Sequence, residues 1–278
     1  MHKINLPLPL DNWWWAILLM LVFNTARYIL VPGIAYLICY HSPSSWVKKF
    51  KIQPAMPGKK QMRHELLYSF SSILIFSVIL VAGYLLYINN HTTLYTDIHQ
   101  YGYGYFFLSL VLMIILHDTY FYWVHRLLHT RWFFKKIHRV HHRSANPTPL
   151  AANAFHPLEA LILGLIVFPL ITIWPVHILA LLLFNSIVVV TNVVGHLGFE
   201  FMPARLRHSS PGKYISSSTH HNLHHQKSNK NFGLYFTFWD ALMKTLQADR
   251  SGQKRFTGKP GVVSSARIGD SPPSMKPG

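Results

Sequence analysis

The chain is poor in charged residues and has almost no cysteine. Only 13% of its 278 residues are Asp, Glu, Lys or Arg, about half of what a soluble domain carries. The single cysteine, Cys39, excludes an intrachain disulfide framework and any cysteine-rich zinc or iron–sulfur site. Asp and Glu together number nine, so metal chemistry in this chain must rest mainly on imidazole.

Motifs for a built-in redox cofactor are also missing. The sequence contains no Rossmann glycine fingerprint, no flavin motif and no CxxCH haem-attachment segment. A redox reaction would therefore need an external electron carrier of the cytochrome or ferredoxin type. The segment HRLLH lacks the glutamate that activates water in HExxH enzymes, which disfavours a zinc-dependent membrane hydrolase.

Half of the residues are hydrophobic, and they form long runs. The runs at 13–40 and 67–88 are long enough to cross a bilayer, for which about 20 apolar residues suffice. A third run begins near residue 101 and passes without a break into His117 and Asp118. This pattern predicts a helix that leaves the hydrocarbon carrying polar side chains.

The apolar run at 158–195 is divided by Trp174-Pro175. It predicts either a hairpin that dips in from one side or a tightly turned pair of spans, and we favour the pair. Residues 1–250 are therefore expected to form a single membrane-embedded domain, with the catalytic part at about 101–247. The stretch 251–278 is rich in Gly, Pro, Ser and Lys and is predicted to be a disordered basic tail.

Basic residues outnumber acidic ones by 26 to 9, which gives a net charge of +17. Such an excess is common in nucleic-acid-binding proteins, but basic loops beside apolar spans also orient membrane proteins. The apolar content favours the second interpretation, so no nucleic-acid partner is expected. Lys and Arg concentrate in 48–63, 126–143 and 205–230, whereas 89–104 has none. Because cytoplasmic loops retain positive charge, the histidine-bearing segments are predicted to face the cytoplasm, in a bacterial inner membrane or the endoplasmic reticulum.

Nineteen histidines are the most unusual feature of the composition, and most lie in clusters with helical spacing. HRLLH places two imidazoles four residues apart, HRVHH and HNLHH each repeat an i, i+3, i+4 triple, and NVVGH adds an asparagine and a histidine four apart. Such spacings put each cluster on one helix face. The histidines of these four segments are His125, His129, His138, His141, His142, His196, His221, His224 and His225.

A metal is the most economical explanation for nine clustered imidazoles. Without one, the rings would compete for few hydrogen-bond acceptors, or repel one another when protonated. Nine or ten ligands exceed the roughly four to six that one transition metal takes, which predicts a dinuclear site. Imidazole suits zinc, iron and copper alike, so the spacing does not choose the metal.

Five motifs run in order through the second half of the chain: HDTYFYWVHRLLH, HRVHH, FHPLE, GHLGFEFMP and THHNLHHQKSNKNFGLYFTFWDALMKT. Together they resemble the membrane-bound fatty acid hydroxylase and sterol desaturase superfamily of non-haem di-iron enzymes. The resemblance implies an all-α membrane protein with about four transmembrane helices and a cytoplasmic histidine-rich cap. It also implies two irons held almost wholly by the nine histidines named above.

The same resemblance implies the chemistry. Dioxygen would be the co-substrate, and a lipid from the bilayer, either a fatty acyl chain or a sterol-like molecule, would be hydroxylated or desaturated. Asn192 occupies a position where some family members have another histidine, and it is expected to bind metal through water. The alternative is a histidine-rich metal-transport or metal-binding protein, which would carry ionisable residues in the middle of several spans.

The few carboxylates near the motifs have separate expectations. Asp118 is predicted either to support the metal-binding imidazoles through an intermediary such as Tyr122, or to pair with an arginine. His156, Glu159 and Glu200 are expected to hydrogen-bond metal ligands or to cap helices.

Three further residues of the last motif are expected to have supporting roles. Trp239 and Asp240 in FWDAL are predicted to close the cap beneath the last triple. His220 is expected to lie at the surface or beside a ligand.

Overall fold

The computed structural model describes residues 13–247 and is mostly helical. The predicted tail at 251–278 lies outside the described residues. In chain order the helices and strands are α1 (Trp13–Tyr28), α2 (Ile34–Tyr40), α3 (Ser45–Lys48), α4 (Lys59–Ile88), β1 (Leu94–Tyr95), α5 (Gly102–Leu128), α6 (Arg131–Phe133), α7 (Arg139–His142), α8 (Pro157–Gly164), α9 (Val167–Thr172), β2 (Val176–His177), α10 (Ile178–Gly195), α11 (Ala204–Arg207), α12 (Ser218–Lys227) and α13 (Phe238–Leu242).

Within residues 13–247, four helices are long and apolar enough to cross a membrane, which confirms the predicted number: Trp14–Tyr40, Lys59–Ile88, Gly102–Leu128 and Ile178–Gly195. The first joins α1 to α2 through a π-helical turn, Ile29–Gly33. Pro32 lies inside this turn, where its missing N–H and its ring force the backbone out of α-helical register. α4 begins eight residues before the predicted start at 67, because its polar first turns extend beyond the apolar run.

The divided run at 158–195 forms α8, α9 and α10. The turn between α9 and α10 contains β2, which pairs in parallel with β1 of the loop that joins α4 to α5. α5 starts beside this loop and has 27 residues, so its histidine-bearing end lies about 40 Å away. Only the second arm, Ile178–Gly195, is long enough to count as a candidate span, whereas the first, Pro157–Thr172, is a shorter apolar stretch broken between α8 and α9. The favoured pair of spans therefore stays a prediction.

The opposite end of the bundle joins the first loop to the segment after α10. Lys51 and Phe199 form an antiparallel bridge, and the backbone N–H of Ile52 donates to the Gly198 carbonyl at 3.0 Å. Gly198 has a φ of +73°, and a Cβ there would overlap the Tyr40 hydroxyl, so only glycine fits this close approach. The basic loop 41–58 and the histidine motifs thus share one end of the molecule.

This arrangement predicts the outcome of a labelling experiment. In a Cys39→Ala background, Lys48→Cys and Gln100→Cys place single cysteines at opposite ends of the bundle. Both positions are exposed; Lys48 precedes the start of α4, and Gln100 lies in the loop that joins the end of α4 to the start of α5. A membrane-impermeant maleimide applied to sealed vesicles should label one of the two variants, and both only after permeabilisation. Labelling of both in sealed vesicles would contradict the topology.

Candidate metal centre

The nine motif histidines come together as two groups. Within each group, the candidate ligand nitrogens all lie within 4.8 Å of one another. The five-histidine group comprises His125, His129, His138, His142 and His224, and the four-histidine group comprises His141, His196, His221 and His225. The groups are adjacent, since the rings of His142 and His225 stack with centroids 4.7 Å apart.

Each histidine triple is divided between the two groups, so the helix face on which each triple is predicted to lie contributes to both groups. In HRVHH the first and last histidines join the five-histidine group, and His141 joins the other. In HNLHH the division is reversed, with His224 in the five-histidine group. Residues i and i+4 are about 40° apart around a helix, whereas i+3 and i+4 are about 100° apart. One triple therefore spans enough of the helix surface to serve two neighbouring sites.

The nitrogen separations are those of ligands around a common ion. In the five-histidine group, Nε2 of His224 lies 3.1 Å from Nε2 of His129 and 3.0 Å from that of His142. In the four-histidine group, Nε2 of His196 lies 3.1 Å from that of His141 and 3.0 Å from that of His221. Nitrogens bound at about 2.1 Å to one ion are about 3.0 Å apart in octahedral and about 3.4 Å apart in tetrahedral geometry.

Hydrogen bonds at Nδ1 fix which ring nitrogen faces the centre. Nδ1 of His125 donates to the Phe232 carbonyl at 2.9 Å, and Nδ1 of His138 donates to Glu159 Oε1 at 2.7 Å. In a neutral ring, Nε2 then carries a lone pair, yet the two Nε2 atoms are 3.2 Å apart. Two lone pairs cannot hydrogen-bond to each other, so a cation between them is required.

The same arrangement recurs in the four-histidine group. Nδ1 of His196 donates to the Asn192 carbonyl at 2.8 Å, and Nδ1 of His141 donates to the Ala154 carbonyl at 3.3 Å. Their Nε2 atoms meet at 3.1 Å, again with both lone pairs pointing inwards. The residues present in both groups therefore fit a bound transition metal.

Burial keeps these rings neutral. It lowers the pKa of His196 to about 4. Burial, reinforced by neighbouring histidines, lowers the pKa of His129 and holds those of other ligands well below the usual value, namely His138, His141, His142, His221, His224 and His225. Neutral imidazoles are the form that binds metal.

The carboxylates near the centre bond to a histidine ring or to the backbone beside one. Glu159 accepts from His138, and its second oxygen, Oε2, is buried without a hydrogen-bond partner among residues 13–247. Glu200 pairs with Arg207 at 3.2 Å and accepts from the backbone N–H of Thr219 in the first turn of α12. His156 caps α8 by accepting from the Leu158 N–H at 3.2 Å.

Among residues 13–247, Asp118 forms no ion pair with an arginine, and its support of the imidazoles through an intermediary stays a prediction. Its Oδ1 accepts from the backbone N–H groups of Tyr235 and Phe236, at 2.9 and 3.3 Å. A carboxylate so far along an apolar helix is stabilised by these charge-assisted bonds, which the sequence did not reveal because the loop follows 117 residues later. Asp118 therefore fixes the loop after α12.

Asp240 and Gly233 shape the same loop. Asp240 accepts from the N–H groups of Phe232 and Gly233 at 2.9 and 2.8 Å. A Cβ at Gly233 would overlap the Phe236 carbonyl oxygen, so this tight turn requires glycine. Because the Phe232 carbonyl orients His125, the turn contributes directly to the metal centre. This agrees with the structural role expected of Asp240.

His220 is buried rather than on the surface. Its Nδ1 accepts from the backbone N–H of Ser217, and the Ser217 hydroxyl accepts from the His220 N–H, which forms a capping box at the start of α12. Asn192 contributes its backbone carbonyl to His196, and its side chain lines two cavities beside the four-histidine group. Its water-mediated metal contact stays a prediction.

Sequence reasoning missed Glu65. This carboxylate is fully buried near the start of α4, where it accepts from the Thr148 hydroxyl at 2.5 Å and from Gln61 Nε2 at 2.7 Å. It fastens the segment that follows HRVHH to the second span. An isolated glutamate followed by an uninterrupted apolar run was the available signal.

Several proteins of known identity have similar sequences. The sequence profile described as fatty acid hydroxylase matches residues 110–245. Lathosterol oxidase of Homo sapiens is 32% identical over 229 residues, which cover 82% of this chain and 74% of that protein. No solved structure matches the chain.

Two fungal proteins are also similar over shorter stretches. A Delta(7)-sterol 5(6)-desaturase of Gibberella zeae is 30% identical over 182 residues, which cover 66% of this chain and 55% of that protein. C-4 methylsterol oxidase of Schizosaccharomyces pombe is 34% identical over 144 residues, which cover 50% and 47%. The chain thus spans about half the length of these two relatives.

The division into two groups predicts which ion each histidine holds. His142→Ala should weaken the ion of the five-histidine group, and His225→Ala that of the four-histidine group, so each variant should purify with metal falling from two per chain towards one. Elemental analysis of purified protein measures this. His99→Ala, an exposed histidine near the other end of the bundle, is the control and should keep two. Full metal in both variants would contradict the assignment.

Glu159 provides a graded test of ligand orientation. Glu159→Gln keeps an oxygen that can accept from His138, whereas Glu159→Leu leaves that buried Nδ1–H unpaired. Loss of such a supporting bond typically weakens metal binding about 10- to 100-fold, so Glu159→Leu should lose metal to a chelator at much lower concentration, with Glu159→Gln in between. Asp97→Asn, in the distant loop, should match the wild type. Equal retention in both Glu159 variants would show that the bond does not support the ligand.

Proposed function

The chain belongs to the fatty acid hydroxylase family, and on that premise we propose that it is a membrane di-iron oxidoreductase that oxidises a sterol or sterol-like lipid with dioxygen. The observation that carries the proposal is the convergence of imidazole lone pairs in two adjacent groups at one end of an apolar helix bundle. With one iron in each group, such a centre can activate dioxygen and remove hydrogen from an unactivated C–H bond.

A cavity beside the two groups offers a place for the substrate carbon. It is lined by histidines from both groups and by apolar side chains of α5 and α8, including Phe121 and Leu163. Phe121 also belongs to an apolar cluster that contains Leu234 and Tyr235. These walls exclude water from the reacting carbon, which we propose enters sideways from the bilayer between the spans.

The protein's own residues supply orientation and one proton-carrying group. Backbone carbonyls and Glu159 hold the rings of His125, His138 and His196 so that their Nε2 atoms face inwards. Glu159 lines the cavity, and its Oε2 is buried without a hydrogen-bond partner among the described residues. We propose that this oxygen holds or releases a proton near the centre. Phe155 stacks on His141 with ring centroids 4.9 Å apart and limits its movement.

Electrons are proposed to come from a separate carrier of the cytochrome or ferredoxin type. His129 and His142 are only half-buried, whereas the other seven ligands are buried, so the five-histidine group is the more accessible of the two. Basic side chains surround this end of the molecule and would attract an acidic carrier. By the positive-inside rule, this end is proposed to face the cytoplasm.

The relatives favour a sterol over a fatty acyl chain. The names of the three similar proteins specify lathosterol, a Δ7-sterol and a C-4 methylsterol. Oxidation by addition of oxygen and oxidation by removal of two hydrogens are both compatible with the site.

Lipid analysis tests the proposal directly. Membranes from cells that contain sterols and express the chain should show a sterol product shifted by about +16 or −2 mass units, because one oxygen is gained or two hydrogens are lost. Cells that express His142→Ala, or wild-type cells held without oxygen, should lack the product. A shift confined to fatty acyl chains would contradict the sterol assignment, and no shift in any lipid would contradict the oxidase.

A further inference from the structure

A second cavity lies at the junction between α10 and the segments that cover the centre. We call it the junction crevice, and it is lined chiefly by Thr191, Asn192, Val194, Ser216, His221 and Leu234. It borders the four-histidine group through His221. Its candidate ligand role accounts for His221, and the capping box of α12 accounts for Ser217, which also lines the crevice. Neither accounts for Thr191, Asn192 and Ser216.

Within residues 13–247, the side chains of Thr191, Asn192 and Ser216 make no hydrogen bond. Hydroxyls on apolar helices normally bond to their own backbone, as Ser186 on the same helix does with the Leu182 carbonyl at 2.9 Å. All three side chains are half-buried. Their polar atoms are not among the buried unpaired atoms of residues 13–247, so they are accessible from the crevice, and a ligand with its own hydrogen-bonding group can pair with them.

The chemistry of the crevice selects a neutral group. Its lining contains amide and hydroxyl functions beside Val194 and Leu234, and it contains no Lys or Arg. A carboxylate or phosphate would be left without a counter-charge there, whereas a hydroxyl can both donate to and accept from these groups. The crevice thus matches an apolar molecule that carries one hydroxyl.

The crevice also lies at the right place relative to the reaction. Asn192 and His221 line both the junction crevice and the cavity beside the two histidine groups. The two cavities are thus adjacent, so a molecule whose hydroxyl lies in the crevice would have its nearby carbons close to the centre. The carbons near the centre would then be those within a ring or two of the hydroxyl, and not those at the far end of a long chain.

We propose that the junction crevice binds the hydroxyl group of a sterol-like substrate, through the side chains of Thr191, Asn192 and Ser216. This inference rests on the proposed function, which it deepens by naming how the substrate is held. It also gives the Asn192 amide a substrate contact in place of a water-mediated metal contact.

Equilibrium binding of a sterol and its 3-deoxy analogue to the metal-loaded protein in lipid nanodiscs tests the proposal. The wild type should bind the sterol about tenfold more tightly, because the analogue leaves polar groups unpaired. Asn192→Leu should reduce this preference to near one, and Thr191→Val and Ser216→Ala should each reduce it about threefold. All three should keep two metals per chain. Ser186→Ala, whose hydroxyl is bonded within its own helix, should keep the full preference.

Each other outcome has a definite meaning. If the variants keep the wild-type preference, the polar side chains hold only water and the proposal is wrong. If Asn192→Leu loses metal, its amide is a ligand and the proposal is also wrong. If the wild type oxidises sterols without preferring the hydroxyl, the proposed function stands and this inference fails. If the wild type neither binds nor oxidises a sterol, both fail.

Discussion

Repulsion between converging nitrogen lone pairs is the constraint on which the rest of the structure depends. Nine imidazoles point Nε2 into two small spaces, with nitrogens as close as 3.0 Å. A switch of tautomer would relieve this repulsion, but in His125 and His196 a backbone carbonyl at Nδ1 opposes it. Protonation of the rings would also relieve it, but burial makes protonation unfavourable. A cation between the nitrogens removes this repulsion, which is why both groups fit a bound metal ion.

The few carboxylates of the chain are important because the histidine rings and the segments beside them must be held in fixed positions. Asp118 and Asp240 accept backbone N–H groups in the loop 232–236, Glu200 accepts one at the start of α12, and Glu159 accepts from His138. Each therefore fixes the position of a ligand or of a segment next to one. In a low-dielectric region such charge-assisted bonds are strong, and their loss leaves a buried group unpaired. A handful of acids is enough because each of these four bonds to a ligand or to a segment beside one.

The position of the centre explains how a membrane enzyme can oxidise a molecule that never leaves the bilayer. Apolar spans lead up to the histidines, and the histidine-bearing segments α7 and α12 meet them at the ends of α5 and α10. The boundary between these two parts is where an apolar body and a single polar group can both be satisfied. A substrate with one hydroxyl would lie naturally at this boundary, because its polar end and its hydrocarbon prefer different surroundings.

The sequence by itself determined the helical membrane architecture, the family and the nine histidines that meet. Long apolar runs and i, i+4 spacings are local, and a helix converts them directly into spans and faces. The partition of each triple between two groups, the attachment of Asp118 to Tyr235 and the burial of His220 were decided only by tertiary structure. Those features depend on which segments meet across the fold, sometimes more than a hundred residues apart. Helical periodicity fixes the direction of a side chain around its own axis, but it carries no information about the partner that lies there.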